Sequence, residues 1–145
     1  MVFELIAVVC TGLFAGAAIY VTLVEHPARL ECGSAVALAE FRPSYRRGAV
    51  MQATLALVGC LGGVGAWAQG AGAAPLIAGL LLGAAIPFTL IAIMPTNKRL
   101  LDPALERDSA EATALLNRWS NLHAVRSVAG GAAFVLLGLH LVRIL

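Results

Sequence analysis

Four apolar runs, at residues 2–24, 48–67, 76–94 and 124–145, constrain this chain more than any other feature. Each is about twenty residues long, enough to cross the ~30 Å hydrocarbon core of a bilayer as a helix. Backbone amides have no water to bond there, so such a run must satisfy its own hydrogen bonds. A soluble domain of 145 residues has no way to cover this surface, because 60% of its residues are hydrophobic and only 12% charged. The expected fold is all-α: a transmembrane four-helix bundle forming a single domain over residues 1–145, with the lipid bilayer as its first partner.

The first run opens Met1-Val2-Phe3-Glu4 without a basic segment and continues past Ala15-Gly16-Ala17-Ala18, which reads as a retained span. Its Gly12 and Gly16 have the spacing that lets helices approach closely, and Gly-rich faces of this kind favour a homo-oligomer. At Glu25-His26-Pro27 the proline biases His26 away from helical geometry, so the helix should end or bend. A loop from Ala28 to Arg47 should follow, with a short interfacial helix over 34–41. Pro43 then suits the first turn of span two, and Tyr45, Arg46 and Arg47 suit an interface anchor. Pro87 should kink span three near Gly83. Asp108 and Glu111 have the spacing of a capping box, so the last helix should begin outside the bilayer and run in as a cytoplasmic extension of span four.

Charge placement sets the expected orientation. Nine basic residues (Arg29, Arg42, Arg46, Arg47, Lys98, Arg99, Arg107, Arg118 and Arg126) fall on one side, against Arg143 on the other. The positive-inside tendency puts both long loops in the cytoplasm and both termini outside, in a bacterial inner (plasma) membrane. Because these residues flank spans instead of forming one solvated face, nucleic acid is excluded as a partner. Cys10, Cys32 and Cys60 form neither a disulfide framework nor a paired-cysteine metal motif; Cys10 and Cys60 should lie at similar depth.

Antiparallel connectivity gathers polar residues that are far apart in the chain. Spans one and three finish where two and four begin, so Glu25, His26, Tyr45, Gln52, Asn97, Trp119, His123 and Arg126 all reach one end of the bundle. Trp119, His123 and Arg126 are spaced i, i+4, i+7 and lie along one helical face. Taken singly, each has a plain reading. Arg126 can snorkel to phosphates or pair with Glu25. Trp119 can be a belt residue, Gln52 an interhelical hydrogen-bonder, and His140 structural alongside Glu4 and Arg143. Together, two imidazoles, a carboxylate and a guanidinium at membrane depth point to a site.

The pattern Gly16…Tyr20…Glu25-His26-Pro27, Phe41-x-Pro43, Pro95-x-Asn97 and Arg118-Trp119-x-x-x-His123-x-x-Arg126 resembles the anthrone-oxygenase-like family of small four-span membrane proteins. The resemblance implies a four-helix membrane bundle. For the characterised fungal members it implies oxidation of a phenolic anthrone to an anthraquinone by dioxygen without a cofactor.

The residues suit that chemistry, with a hydrophobic small molecule and dioxygen as partners. His123 would act as base, Arg126 would steady the oxyanion and Trp119 would stack on the flat ring. His26 and Asn97 would orient substrate or water, Glu25 would hold His26 or Arg126, and Gln52 and Tyr45 would complete the substrate-binding set. Two alternatives stand beside this oxidoreductase: a metal-dependent one using His26, His123 and Glu25 as ligands, and a non-enzymatic protein that binds a lipid or apolar small molecule.

Overall fold

The computed structural model describes residues 1–142; Arg143, and the last residues of the fourth predicted span, lie outside them. Four helices are long and apolar enough to cross a membrane: α1 (Val2–Glu31), α2 (Ser34–Ala68), α3 (Ala73–Leu101) and α4 (Ala110–Val142). No strand occurs among the described residues. The chain is a multi-pass, all-helical membrane protein. Each helix packs on its neighbour in sequence, and α4 closes the ring against α1.

Their 29 to 35 residues correspond to ~44–52 Å at ~1.5 Å per residue, well beyond a ~30 Å core. Much of the excess lies at the end rich in Lys and Arg, called here the basic end. Sequence patterning underestimates α1, α2 and α3 there, while the expected extension of α4 outside the bilayer is present. Instead of ending at Pro27, α1 runs to Glu31. A π turn over Val21–Glu25, in which the His26 N–H donates to Val21 O, widens the helix just before the proline and accommodates its ring. A second π turn, Thr89–Ile93, stands in the same relation to Pro95 and lets α3 reach Leu101.

The predicted Ala28–Arg47 loop shrinks to Cys32 and Gly33, the latter at φ +85°, where a side chain would be strained. The segment expected as a separate interfacial helix is the start of α2, so Pro43 sits inside that helix instead of in a first turn. Pro43 and Ala39, whose carbonyl loses the bond, are both exposed, while Ala37, Leu38 and Phe41 on the opposite side are buried and hold the helix. The expected disturbance at Pro87 is present: the regular ladder of α3 is interrupted at Ala84, beside the crowded Gly83. At the head of α4 the cap is Ser109, not Asp108. Ala112 N–H donates to Ser109 Oγ at 3.1 Å, which leaves Glu111 free to pair with Arg99.

Two cores divide the bundle. At the far end Ala7, Phe14, Ala78, Leu82, Ala133 and Leu137 interlock, and glycines set the spacing. A Cβ on Gly63 would run into the Pro75 carbonyl and the Gly79 backbone. Cys10 lies against Gly59 and Cys60 against Gly83, all three cysteines being free. Of the Gly12/Gly16 pair only Gly12 meets a neighbour, the Phe134 ring; Gly16 faces open space. His140 Nε2 contacts Glu4 at 3.3 Å. The second core, at the basic end, contains Leu38, Phe41, Ile93, Leu100, Leu116 and Trp119. The loop between α3 and α4 is tied down by Arg42, which donates to Leu100 O at 3.3 Å and Asp102 O at 2.8 Å.

Candidate functional site

Between the two cores the four helices diverge around a cavity of about 210 Å³. Its size exceeds the ~150 Å³ that suffices to take up benzene in an apolar protein interior. Of the eight residues singled out in the sequence, Tyr45, Gln52, Asn97, Trp119, His123 and Arg126 line it. His26 stands one layer behind Trp119, and Glu25 is not part of the lining.

The α4 face is laid out as its spacing predicts. Trp119 and His123 stack with ring centroids 4.6 Å apart and planes 22° apart. Phe41 meets the indole edge-on at 5.2 Å, and His26 approaches it at 5.0 Å. Trp119 is thus the centre of an aromatic cluster built from α1, α2 and α4. His26 Nε2 lies 3.1 Å from Leu116 O. A carbonyl only accepts, so this nitrogen carries the hydrogen and Nδ1, which has no partner, is the bare one.

Arg126 neither snorkels outward nor pairs with Glu25. Its Nη2 donates to Gln52 Oε1 at 2.6 Å, the interhelical role expected of that glutamine, and its guanidinium carbon lies 5.4 Å from the centre of the Phe14 ring. Among the described residues no carboxylate faces it. A cation held at membrane depth by an amide and a ring alone leaves room for an anionic partner in the cavity.

Glu25 is engaged elsewhere. It binds Arg29, one helical turn on, and accepts from Ser44 Oγ at 3.1 Å. This pairing exists because α1 continues through Pro27 and keeps residues 25 and 29 in i,i+4 register. Arg29 also contacts Glu40 at 2.8 Å and lines the cavity, so one of the site's two guanidinium groups is neutralised and the other is not. Asn97 is 1% exposed, yet both its amide nitrogen and its amide oxygen lack a protein partner. A buried amide with nothing to bond is costly, which makes it a natural contact for a ligand oxygen.

The His26, His123 and Glu25 ligand set is not assembled: among the described residues no three His, Cys, Asp or Glu side chains come close enough to hold one ion. Arg29 lines the cavity, and the hydroxyls of Thr22 and Ser127 stand beside His123; the sequence reading singled out none of the three. For two of them the signal was present as spacing, since Arg29 follows Glu25 by four positions and Ser127 follows His123 by four.

Ala53 on α2 and Leu90 on α3 both contribute to the cavity wall and both are exposed on the apolar outer surface. The small residues Gly48, Ala49 and Ala53 keep α2 thin along this edge.

A family model described as anthrone oxygenase matches residues 41–136, well over half of the chain. The match takes in Gln52, Asn97, Trp119, His123 and Arg126, while Thr22, Glu25, His26 and Arg29 precede it. Neither the curated proteins nor the solved structures yielded a match to the chain.

Proposed function

The chain belongs to the anthrone oxygenase family, and from that premise we propose that its cavity oxidises a flat, hydrophobic phenolic compound of the anthrone type with dioxygen. The observation that carries this reading is the pairing of His123 with an uncompensated Arg126 on one wall of an otherwise largely apolar cavity. A neutral imidazole there is placed to take the acidic proton from the ring CH₂. The electron pair moves onto the carbonyl oxygen, and Arg126 faces the enolate that forms. Trp119 stacks on the ring, and Asn97 bonds a phenolic or carbonyl oxygen at its far edge. Dioxygen, the oxidant, adds at the deprotonated carbon; loss of water then leaves the quinone. The balance is one anthrone and one dioxygen to one anthraquinone and one water, with no metal or organic cofactor required.

His26 steadies the indole from behind and Tyr45 closes the α2 side. The substrate reaches the cavity from the bilayer, passing between Ala53 and Leu90, the lining residues that are exposed on the outer surface. The basic end faces the cytoplasm of a bacterial inner membrane, with both termini outside.

The test is dioxygen uptake by purified protein in lipid nanodiscs supplied with a hydroxylated anthrone. One dioxygen consumed per quinone formed is expected. Saturable binding without turnover would instead favour a binding protein. The entry route has its own check: Ala53→Trp is expected to lower kcat/KM by about one to two decades, as a loss of association rate, and to leave kcat nearly unchanged. An unchanged kcat/KM would place the entrance elsewhere.

A further inference from the structure

Two hydroxyls behind His123 have no part in the reading above. Thr22 Oγ1, on α1, lies 3.1 Å from His123 Nδ1, 2.7 Å from Ser127 Oγ on α4 and 2.9 Å from Ala18 O. Ser127 Oγ lies 3.0 Å from that same Ala18 carbonyl and 3.3 Å from its own helix's His123 carbonyl, so its hydrogen too has only acceptors other than the imidazole around it. We propose that Thr22 and Ser127 are positioning residues that fix His123 as the Nδ1–H tautomer. The Nε2 lone pair, on the opposite edge of the ring, is then free to accept a proton from a ligand in the cavity. This rests on the role of His123 as base.

Counting hydrogens leads to the tautomer. The Ala18 oxygen can only accept, and two hydroxyl oxygens approach it at 2.9 and 3.0 Å. At least one must point its hydrogen there, or lone pairs would face lone pairs. The 2.7 Å contact between Thr22 and Ser127 uses the second hydroxyl hydrogen. None remains for His123, so its 3.1 Å contact is a hydrogen bond only if Nδ1 carries the hydrogen and donates to Thr22 Oγ1. Among the described residues Nε2 has no protein partner, while the ring it belongs to lines the cavity.

Hydroxyls in membrane helices commonly bond the carbonyl four residues back, as Thr11 and Thr89 do. Thr22 differs in also reaching an imidazole on another helix. In the proposed step the substrate C–H bond breaks, its electron pair stays on the substrate as enolate and the proton goes to Nε2. The Nδ1–H bond to Thr22 persists and strengthens, because an imidazolium N–H is the better donor.

The test is ¹⁵N NMR of the full-length, histidine-labelled protein in bilayers near neutral pH, with the His123 signals identified by their loss in His123→Gln. A protonated Nδ1 and an unprotonated Nε2 are expected. Thr22→Val, which keeps the shape and removes the hydroxyl, should move His123 toward the Nε2–H form. It should also lower kcat for a hydroxylated anthrone about tenfold with KM within about twofold, and Thr22→Ser should restore both.

A wild-type protein with the hydrogen on Nε2 overturns the proposal, even if the valine variant does not fold. So does a folded Thr22→Val protein with unchanged tautomer and kcat. The expected tautomer, shifted by Thr22→Val in a protein that turns over no anthrone, supports the positioning role and removes the oxygenase reading.

Discussion

Replacing His123 with alanine is expected to reduce anthrone oxidation by about 10²- to 10⁴-fold, the usual worth of a positioned general base. Among the described residues His123 is the one imidazole that lines the cavity; His26 donates its Nε2–H to Leu116 O and sits behind the indole. The loss should therefore fall on kcat. KM should change less, because on the proposed reading Trp119, Asn97 and Arg126 would still contact the ring and its oxygens. Uptake of dioxygen in nanodiscs, with quinone absorbance followed in parallel, gives the rate. Circular dichroism reports whether the helices remain. A folded His123→Ala protein that oxidises anthrone within about twofold of the parent would remove His123 from the chemistry, since a base worth ~10² or more cannot be deleted without effect.

The second large effect concerns the scaffold. Gly63→Leu is expected to destabilise the bundle by about 3 kcal/mol, the upper end of ordinary overpacking. The added Cβ would meet the Pro75 carbonyl and the Gly79 Cα, which are backbone atoms with no rotamer to change, so α2 and α3 would have to separate. Gly16→Ala is the matched control: nothing lies within 4 Å of its Cβ position, and the expected change is within about 0.5 kcal/mol. Unfolding in mixed detergent micelles, followed by loss of helix signal, measures both. Equal effects at the two positions would contradict the close α2–α3 contact, and would return the packing role to the Gly12/Gly16 spacing.

The spans were legible because the bilayer enforces one simple rule, that apolar runs of crossing length become helices. Beyond the bilayer that rule stops: the basic ends of α1, α2 and α3 were misplaced, while the start of α4 was marked by its capping residues to within one position. Pro27 reads as an end or a bend of the helix from its own chemistry, yet the five-residue π turn before it lets the helix continue. Pro43 reads as a first-turn residue, yet burial of Leu38 and Phe41 carries α2 through it. Both outcomes depend on contacts with other helices that local sequence does not encode.

The same cause explains what was gained and lost in the site. Trp119, His123 and Arg126 share one uninterrupted helix, so their spacing alone placed them on a common face. The partners of Glu25 were misread because Arg29 falls in register only if α1 continues past Pro27. Thr22 escaped notice because its contact with His123 joins residues 101 positions apart.

Trp119 lines the cavity, which on the proposed reading takes up one flat apolar molecule per chain. The most direct measurement of that uptake is Trp119 fluorescence in a Trp67→Phe background, which removes the half-exposed indole at the opposite end, titrated with a hydroxylated anthrone under nitrogen. Saturable quenching that ends at one ligand per chain is expected. Quenching that never saturates, rising in proportion to the ligand dissolved in the lipid, would contradict it.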